Sequence, residues 1–194
     1  MNVINLSYDS TNYYLIQSNS GWIMIDTGWP GTLSKYLNLL KQKNINLNEI
    51  KYLIVTHFHP DHAGLVQDIK NFGASLILHN IQVPYLDELR IFFSRKPQYP
   101  FKDIDANNNI VVSSVESRLF LQKIGIKGEI ISTPGHSNDS VSLVIDGCCA
   151  FTGDLPGLMF VDLESNPEVN ESWKLIQNYR VKTIYPGHGY TFSM

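Results

Sequence analysis

The regular alternation of strands and helices between residues 21 and 79 constrains the fold of this chain most strongly. Apolar runs typical of buried strands occupy residues 21–25, 51–56 and 75–79, and apolar residues at helical spacing occupy 32–43 and 61–72. Strands that alternate with helices usually pair in parallel, because each helix carries the chain back to the starting edge of the sheet. This part of the chain is therefore predicted to form a parallel sheet with helices packed on it.

Further short strands precede and follow this unit, separated by turn-forming residues. They are predicted at residues 3–6, 12–16, 129–132, 141–145, 148–152 and 181–185, with a late helix at 173–179. The chain has no internal repeat and no linker that would divide it, and 194 residues suit one sizeable core. We predict a single α/β domain over residues 1–194.

The segment 80–118 departs from this pattern. It begins with helical spacing and then passes through aromatic and proline residues into an Asn-Asn-Asn stretch. We predict a lid or pocket-wall insertion, because long aromatic excursions of this kind commonly cover a site. The candidate substrate-pocket residues are Tyr85, Phe92, Phe93, Tyr99, Phe101 and, near the C-terminal end, Tyr190. Packing within a lid core is the alternative role for these aromatic side chains.

Composition limits the classes of partner. Hydrophobic residues make up 43% of the chain and charged residues 17%, with a net charge of −3, which is typical of a globular protein without a nucleic-acid footprint. No apolar run reaches the ~18 residues of a membrane span, and no secretory signal is visible. Cys148 and Cys149 are neighbours, a spacing unsuited to a disulfide. We expect a cytoplasmic protein with a small-molecule substrate, and the sequence does not indicate its oligomeric state.

Four side chains that can bind metal lie within six residues, in the segment His57-Phe58-His59-Pro60-Asp61-His62. His57 and His59 share one side of an extended stretch and can close on one ion. Asp61 and His62 follow as the chain turns into a helix, which directs them toward a second ion. Imidazole and carboxylate ligands without thiolates suit zinc, iron or manganese and argue against a structural zinc site.

Three more candidate ligands follow predicted strands at turn-forming residues. They are His136 in Thr-Pro-Gly-His-Ser, Asp154 after Ala-Phe-Thr-Gly, and His188 in Tyr-Pro-Gly-His-Gly. Loops at strand ends bring side chains from several strands to one point. His79 matches none of these motifs, and we predict a structural role for it.

The order of these motifs resembles that of the metallo-beta-lactamase superfamily over almost the whole chain. The matching pieces are Asp26 in Ile-Asp-Thr-Gly, the 57–62 cluster followed by Ala-Gly, His136, Asp154 and His188. The resemblance implies an α/β fold, a four-layer αββα sandwich with the metal site at one edge of its two sheets. It also implies a division of ligands: His57, His59 and His136 for a first metal, Asp61, His62 and His188 for a second, and Asp154 bridging both. Asp26 would orient these ligands by hydrogen bonds, with capping of its own turn as the alternative.

We expect two divalent metal ions in this site, with zinc the expected metal and iron or manganese the alternatives. Two ions held in this way lie about 3.5–4 Å apart and can share a hydroxide. That hydroxide would attack the carbonyl of an ester, thioester or lactone, with Asp61, His62 and Asp154 as the catalytic residues. Such a mechanism needs no serine or cysteine nucleophile. The sequence thus predicts a dinuclear-metal hydrolase.

The subfamily stays unresolved. Glyoxalase II-like enzymes carry a further helical region, whereas this chain stops six residues after His188. Lactonase-like enzymes carry a tyrosine shortly after the bridging aspartate, where this chain has residues 155–158, Leu-Pro-Gly-Leu. Two other hypotheses stay open. One is a mononuclear-iron persulfide dioxygenase that would use His57, His136 and Asp154, and the other is a non-catalytic binding protein of the same fold.

Overall fold

The computed structural model describes residues 1–158 and 166–194, which form two sheets with helices on their outer faces. The first sheet has six strands, in the order β1 (Val3–Asn5), β2 (Tyr14–Ser18), β3 (Gly21–Ile25), β4 (Ile50–Ile54), β5 (Ser75–His79) and β6 (Asn109–Val112). The second has five, in the order β11 (Phe192–Ser193), β10 (Thr183–Pro186), β9 (Cys149–Gly153), β8 (Val141–Ile145) and β7 (Gly128–Ser132). The helices are α1 (Leu33–Gln42), α2 (Pro60–Ala63), α3 (Val66–Lys70), α4 (Tyr85–Ser94), α5 (Ser114–Lys123) and α6 (Pro167–Asn178).

The strands of the first sheet pair in parallel from β3 to β6, which the sequence predicted for β3 to β5 but not for β6, and β1 and β2 extend that sheet as antiparallel strands. In the second sheet β9 and β10 are parallel, so their carboxyl ends lie side by side. The end of β4 lies next to them, because the Val141 N–H at the start of β8 donates to the Thr56 carbonyl at 2.8 Å.

Alternate residues of the same strands face two different apolar cores, because side chains in a strand point to opposite faces of the sheet. In β3, Ile23 and Ile25 pack between the two sheets with Leu143 and Phe151 of the second sheet. Met24 packs on the other face, in a cluster that includes α1, α3 and α4. A third cluster joins α6 to the outer face of the second sheet. The four layers confirm the predicted αββα sandwich.

The helix predicted at 61–72 is in fact two short helices, α2 and α3, interrupted at Gly64. The reason is a tertiary contact. The His62 carbonyl accepts hydrogen bonds from the Thr27 N–H at 2.7 Å and from Thr27 Oγ1 at 3.0 Å. Thr27 Oγ1 in turn accepts from the Leu65 N–H at 3.2 Å. These bonds replace the helical ones and hold the turn that carries the ligands.

The segment 80–118, predicted as a lid or pocket-wall insertion, belongs in part to the framework. Residues 109–118 form β6 and the start of α5, whereas α4 and the loop after it lie outside the sheets. Two ion pairs fasten this loop to α3, Lys70–Asp105 at 3.2 Å and Lys102–Asp68 at 2.6 Å. Within the described ranges no helix is long and apolar enough to cross a membrane.

Candidate metal centre

Four strand ends deliver the candidate ligands to one edge of the sandwich. The 57–62 segment follows β4, His136 follows β7, Asp154 follows β9 and His188 follows β10. The turns that redirect the chain contain glycines with little free space around them. A Cβ at Gly187 would overlap Asp154 Oδ1 and lie 2.8 Å from His62 Cε1. The absence of a side chain at Gly187 thus allows the loop after β10 to approach the ligands after β9 and β4.

The first group of ligands is formed by His57, His59 and His136. One ring nitrogen from each lies within 4.8 Å of the others. His136 Nε2 is 3.0 Å from His59 Nδ1, and His57 is almost completely buried beneath them. The arrangement presents three imidazole nitrogens to one point.

The second group is formed by Asp61, His62 and His188, again with all ligand atoms within 4.8 Å of one another. Asp61 Oδ2 is 3.4 Å from His62 Nε2 and 3.3 Å from His188 Nε2. His62 is fully buried, while the His188 side chain keeps 40% of its exposure. The second group is therefore open to solvent on the His188 side.

Asp154 lies between the two groups. Its Oδ1 is 3.3 Å from His62 Nε2, and its Oδ2 is 3.3 Å from His188 Nε2 and 3.6 Å from His136 Nε2. With His57 and His62 it makes a third set of mutually close ligand atoms. The structure thus brings the side chains of all seven predicted ligands together at one place.

Three of these atoms fit a metal site for a further reason. His57 Nε2, His62 Nε2 and Asp154 Oδ1 are buried and have no hydrogen-bond partner among the described residues. A buried polar atom without a partner costs free energy of about 1–3 kcal/mol, which a bound cation would offset. Nitrogen and carboxylate donors without thiolate suit zinc, iron or manganese.

Electrostatics prepare the two groups differently. Burial, together with the neighbouring imidazoles, lowers the pKa of His57 well below its usual value. The neutral ring that this favours has a nitrogen lone pair that can bind a metal. Burial also opposes protonation of His62, but the carboxylates of Asp26, Asp154 and Asp61 outweigh it and raise the pKa of His62. For Asp61, burial opposes ionisation, yet the adjacent His62 imidazole and the hydrogen bond from Thr11 lower the pKa of the carboxyl. The carboxylates around the second group thus favour a positive charge there, which a metal cation would supply.

The family assignment agrees with this geometry. The family model of the metallo-beta-lactamase superfamily matches residues 7–188, which include all seven ligands. The chain belongs to the metallo-beta-lactamase superfamily. The likeness extends to solved structures: a metallo-beta-lactamase family protein from Thermus thermophilus has a TM-score of 0.75 at 16% identity, covering 99% of this chain and 74% of that one. A metallo-beta-lactamase from Legionella gormanii also has a TM-score of 0.75, at 18% identity, covering 96% of this chain and 76% of that one.

Curated relatives in this superfamily carry several functional names. A beta-lactamase-like protein 2 homolog of Caenorhabditis elegans is 29% identical over 92% of this chain, and a probable metallo-hydrolase of Methanocaldococcus jannaschii is 29% identical over 94%. A thioesterase of Emericella nidulans is 26% identical over 95% of this chain. The chain spans 56% of the length of the Caenorhabditis elegans protein and 47% of the thioesterase, but 88% of the Methanocaldococcus jannaschii protein.

In this superfamily member, Asp26 connects the ligands of both groups. Its Oδ1 accepts from the Thr56 N–H at 2.7 Å, and its Oδ2 accepts from Thr56 Oγ1 at 2.9 Å and from His62 Nδ1 at 2.9 Å. Thr56 Oγ1 lies 3.2 Å from His57 Nδ1. The Nε2 atoms of both histidines are therefore free to face the centre. Asp26 has a φ of 60°, a left-handed conformation that aspartate and asparagine tolerate better than most residues.

The turn that supports the second group was missed by sequence reasoning. His188 Nδ1 donates to the Ser10 carbonyl at 2.7 Å, and Thr11 Oγ1 donates to Asp61 Oδ2 at 3.0 Å. Asn12 Nδ2 donates to the carbonyls of Pro186 at 3.0 Å and Gly189 at 2.9 Å. The three supporting residues precede β2, and neither the turn signal nor the strand predicted from residue 12 marks them as partners of the ligands.

Asp139 was also missed, and it fastens the first group. Its Oδ2 accepts from the Phe58 N–H at 2.6 Å, and its Oδ1 accepts from Ser137 Oγ at 2.7 Å. Asp139 is 2% exposed. It thereby ties the loop that holds His57 and His59 to the loop that holds His136.

The structure separates the six predicted pocket aromatics into different environments. Tyr85 and Phe92 line a cavity beside His59. Phe93 is buried and stacks on Phe101, with ring centroids 4.4 Å apart, and Tyr99 packs on Trp29 at 5.6 Å. The remaining one, Tyr190, is 94% exposed. Both predicted roles, cavity wall and packed cover, therefore occur.

His79 lies at the end of β5, in none of the groups of potential metal ligands among the described residues. It is buried, its Nε2 is 3.1 Å from Ser114 Oγ, and its Nδ1 accepts from the Ile81 N–H at 3.5 Å. Burial lowers its pKa. These contacts fit the predicted structural role.

Proposed function

We propose that this protein is a dinuclear-metal hydrolase, with zinc the expected metal, that cleaves an ester, thioester or lactone. The observation that carries the proposal is the pair of three-ligand groups with Asp154 between them, containing three buried ligand atoms without partners among the described residues. A mononuclear site would not need the second group.

Each ligand has a role that its surroundings support. His57, His59 and His136 would hold the first cation, and Asp61, His62 and His188 the second, with Asp154 shared. Two divalent cations held there would lower the pKa of bound water and polarise a substrate carbonyl. Asp61, His62 and Asp154 set the charge of the centre, with His62 fixed by Asp26 and Asp61 by Thr11.

The side on which a substrate can approach is given by the exposed ligands. The His136 and His188 side chains keep 30% and 40% of their exposure, whereas His57 and His62 are buried. A small molecule can therefore reach both groups of ligands from the solvent side. Among relatives, the names metallo-hydrolase and thioesterase support carbonyl hydrolysis, and the thioesterase makes thioesters the first substrates to test.

Metal content and activity test the proposal together. We expect elemental mass spectrometry on protein purified without chelators to find about two zinc ions per chain, and a panel of esters, thioesters and lactones to include a substrate. Asp61→Ala should remove most of one metal equivalent and sharply reduce hydrolysis. Asp87→Ala, which removes a carboxylate that is 71% exposed on α4, is the matched control and should change neither.

Two other results would contradict the proposal and support its alternatives. About one iron per chain, with oxygen uptake when a persulfide is added, would indicate a persulfide dioxygenase that uses His57, His136 and Asp154. Protein that neither contains nor rebinds metal would indicate a non-catalytic binding protein.

A further inference from the structure

The cavity beside His59 has a volume of about 410 Å³, within the range of small-molecule sites. Its lining comes from the ligand loop, from α4 and from the loop after His136. We infer that this cavity binds an uncharged apolar chain, so that the substrate is an ester or thioester of a medium-length acyl group. The inference rests on the proposed function for the reaction and on the cavity for the specificity.

The apolar character of the cavity comes from a helix face and a buried aromatic. Tyr85, Leu89 and Phe92 follow one another on α4 at spacings of four and three residues, which places them on the same side of the helix. Phe58, in the loop after β4, lines the cavity as well. Leu89 is 2% exposed and Phe58 is 5% exposed, so packing holds both in place. The wall is therefore preformed rather than assembled around a ligand.

His59 joins the cavity to the metal centre. It lines the cavity, and its Nδ1 lies 3.0 Å from Nε2 of His136 in the first group of ligands. Ser137, directly after His136, lines the cavity as well. An apolar chain in the cavity thus ends at the three-histidine group, where the carbonyl would have to lie for hydrolysis.

Charge restricts what the cavity can accept. Its described lining contains the carboxylates of Glu88 and Asp139 and neither lysine nor arginine. Asp139 is engaged by Phe58 and Ser137, which leaves Glu88 as the exposed charge of the described lining. Lys96 Nζ lies 4.0 Å from the centre of the Phe92 ring, but Lys96 does not line the cavity. A phosphate or a terminal carboxylate would meet negative charge there, whereas a methyl-terminated chain would not.

The size of the effect follows from apolar burial. Each methylene transferred from water into the cavity should improve binding about fourfold. The gain should stop at the chain length that fills the cavity. Phe92 forms part of the cavity wall. A smaller side chain at this position would weaken the contacts with the bound chain, and a larger one would reduce the volume of the cavity.

The experiment measures kcat/KM of the metal-loaded enzyme for straight-chain acyl thioesters of one thiol, from acetyl to dodecanoyl. We expect a rise of about fourfold per methylene, followed by a plateau. Phe92→Ala should flatten the rise, and Phe92→Trp should move the plateau to shorter chains. Phe72→Ala, which truncates a phenylalanine that is 50% exposed outside the cavity, is the matched control and should leave the series unchanged. Glu88→Gln should improve hydrolysis of half-thioesters of dicarboxylic acids.

A binding measurement without metal separates this inference from the proposed function. Calorimetric titration of the chelator-treated protein with 1-alkanols from butanol to dodecanol should show affinity that increases with length and is reduced in Phe92→Ala. That result supports the cavity even if no carbonyl compound is hydrolysed, an outcome that overturns the proposed function alone. Hydrolysis that does not depend on chain length, together with alkanol binding that Phe92→Ala leaves unchanged, would overturn the cavity assignment alone.

Discussion

Thr11 Oγ1 donates a hydrogen bond to Asp61 Oδ2 at 3.0 Å, across fifty residues of sequence. The residue before Thr11 supports the same group of ligands, because the Ser10 carbonyl accepts from His188 Nδ1 at 2.7 Å. The turn that precedes β2 thus orients two of the three ligands of the second group. The first group is held by a different element, the Asp139 carboxylate. Asp26 contacts both groups through His62 and Thr56, but the Thr11 turn and Asp139 each support one group, which mutations can distinguish.

Replacing Thr11 by valine should weaken binding of the second metal ion. The change keeps the side-chain shape and removes the donor to Asp61, and loss of such a supporting hydrogen bond typically lowers metal affinity about 10- to 100-fold. Competition titration with a chromophoric zinc chelator would measure both sites. We expect the first site to be unchanged. Thr183→Val in β10 is the control with the same change of side chain, and equal weakening of both sites by Thr11→Val would contradict separate support.

Replacing Asp26 should have two effects that two substitutions separate. Asp26→Asn keeps a residue type that tolerates the left-handed backbone but removes the charge, so this variant should fold with a modest loss of stability and bind metal about 10- to 100-fold more weakly. Asp26→Ala should lower the free energy of unfolding further, because alanine is strained at a φ of 60° and leaves the Thr56 N–H without its acceptor. Urea unfolding and zinc titration measure the two quantities. Equal stability of the two variants would show that the backbone strain does not matter.

Adding a methyl group at Gly187 should disrupt metal binding at both sites. The new Cβ would overlap Asp154 Oδ1, the oxygen that lies 3.3 Å from His62 Nε2. Gly147→Ala is the control, because its Cβ would meet no atom within 4 Å and only its φ of 64° disfavours alanine. We expect Gly147→Ala to lose about 1 kcal/mol of stability and to keep its metal content by elemental mass spectrometry. Full metal content in Gly187→Ala would mean that the two loops can move apart.

The pH dependence of stability should depend in part on His79. Burial lowers its folded-state pKa below the unfolded value of about 6.5. Protonation therefore favours the unfolded chain: the penalty is absent above about pH 6.5 and grows as the pH falls through that value toward the folded-state pKa. In metal-free protein, His79→Gln should lose less unfolding free energy than the wild type between about pH 7.5 and pH 5.5. Ser114→Ala, which removes the partner and keeps the imidazole, should retain the wild-type slope.

Much of the framework could be predicted because its signals are local. The strands β3, β4 and β5 are apolar runs, and the helices between them carry helical spacing, so the parallel pairing followed from the order of elements. The interruption of the helix after His62 could not be predicted in this way. It depends on Thr27, which donates hydrogen bonds to the His62 carbonyl from a distant part of the chain. Local propensity does not include such a contact.

The aromatic residues of α4 and the loop after it show the same division. Their shared position in the aromatic-rich segment 80–118 made one group of candidate pocket residues, Tyr85, Phe92, Phe93, Tyr99 and Phe101. Only the rotation of α4 against the first sheet decides that Phe92 lines the cavity and Phe93 enters the core. Adjacent residues on a helix point about 100° apart, so which of the two side chains lines the cavity depends on the rotation of the helix about its axis.

The sequence by itself determined which side chains form the centre, because ligand chemistry belongs to the residue types and each ligand follows a recognisable strand or turn. The apolar pattern of its strands also predicted the parallel sheet with helices packed on it, and the resemblance to the superfamily implied the four-layer sandwich. The tertiary structure decided how the ligands are held, through Thr11, Ser10 and Asp139, and which aromatics line the cavity. These depend on hydrogen bonds and packing between segments far apart in the chain, as the bond from His188 to Ser10 illustrates across 178 residues. Such contacts have no local signal, since they exist only after the two sheets have packed together.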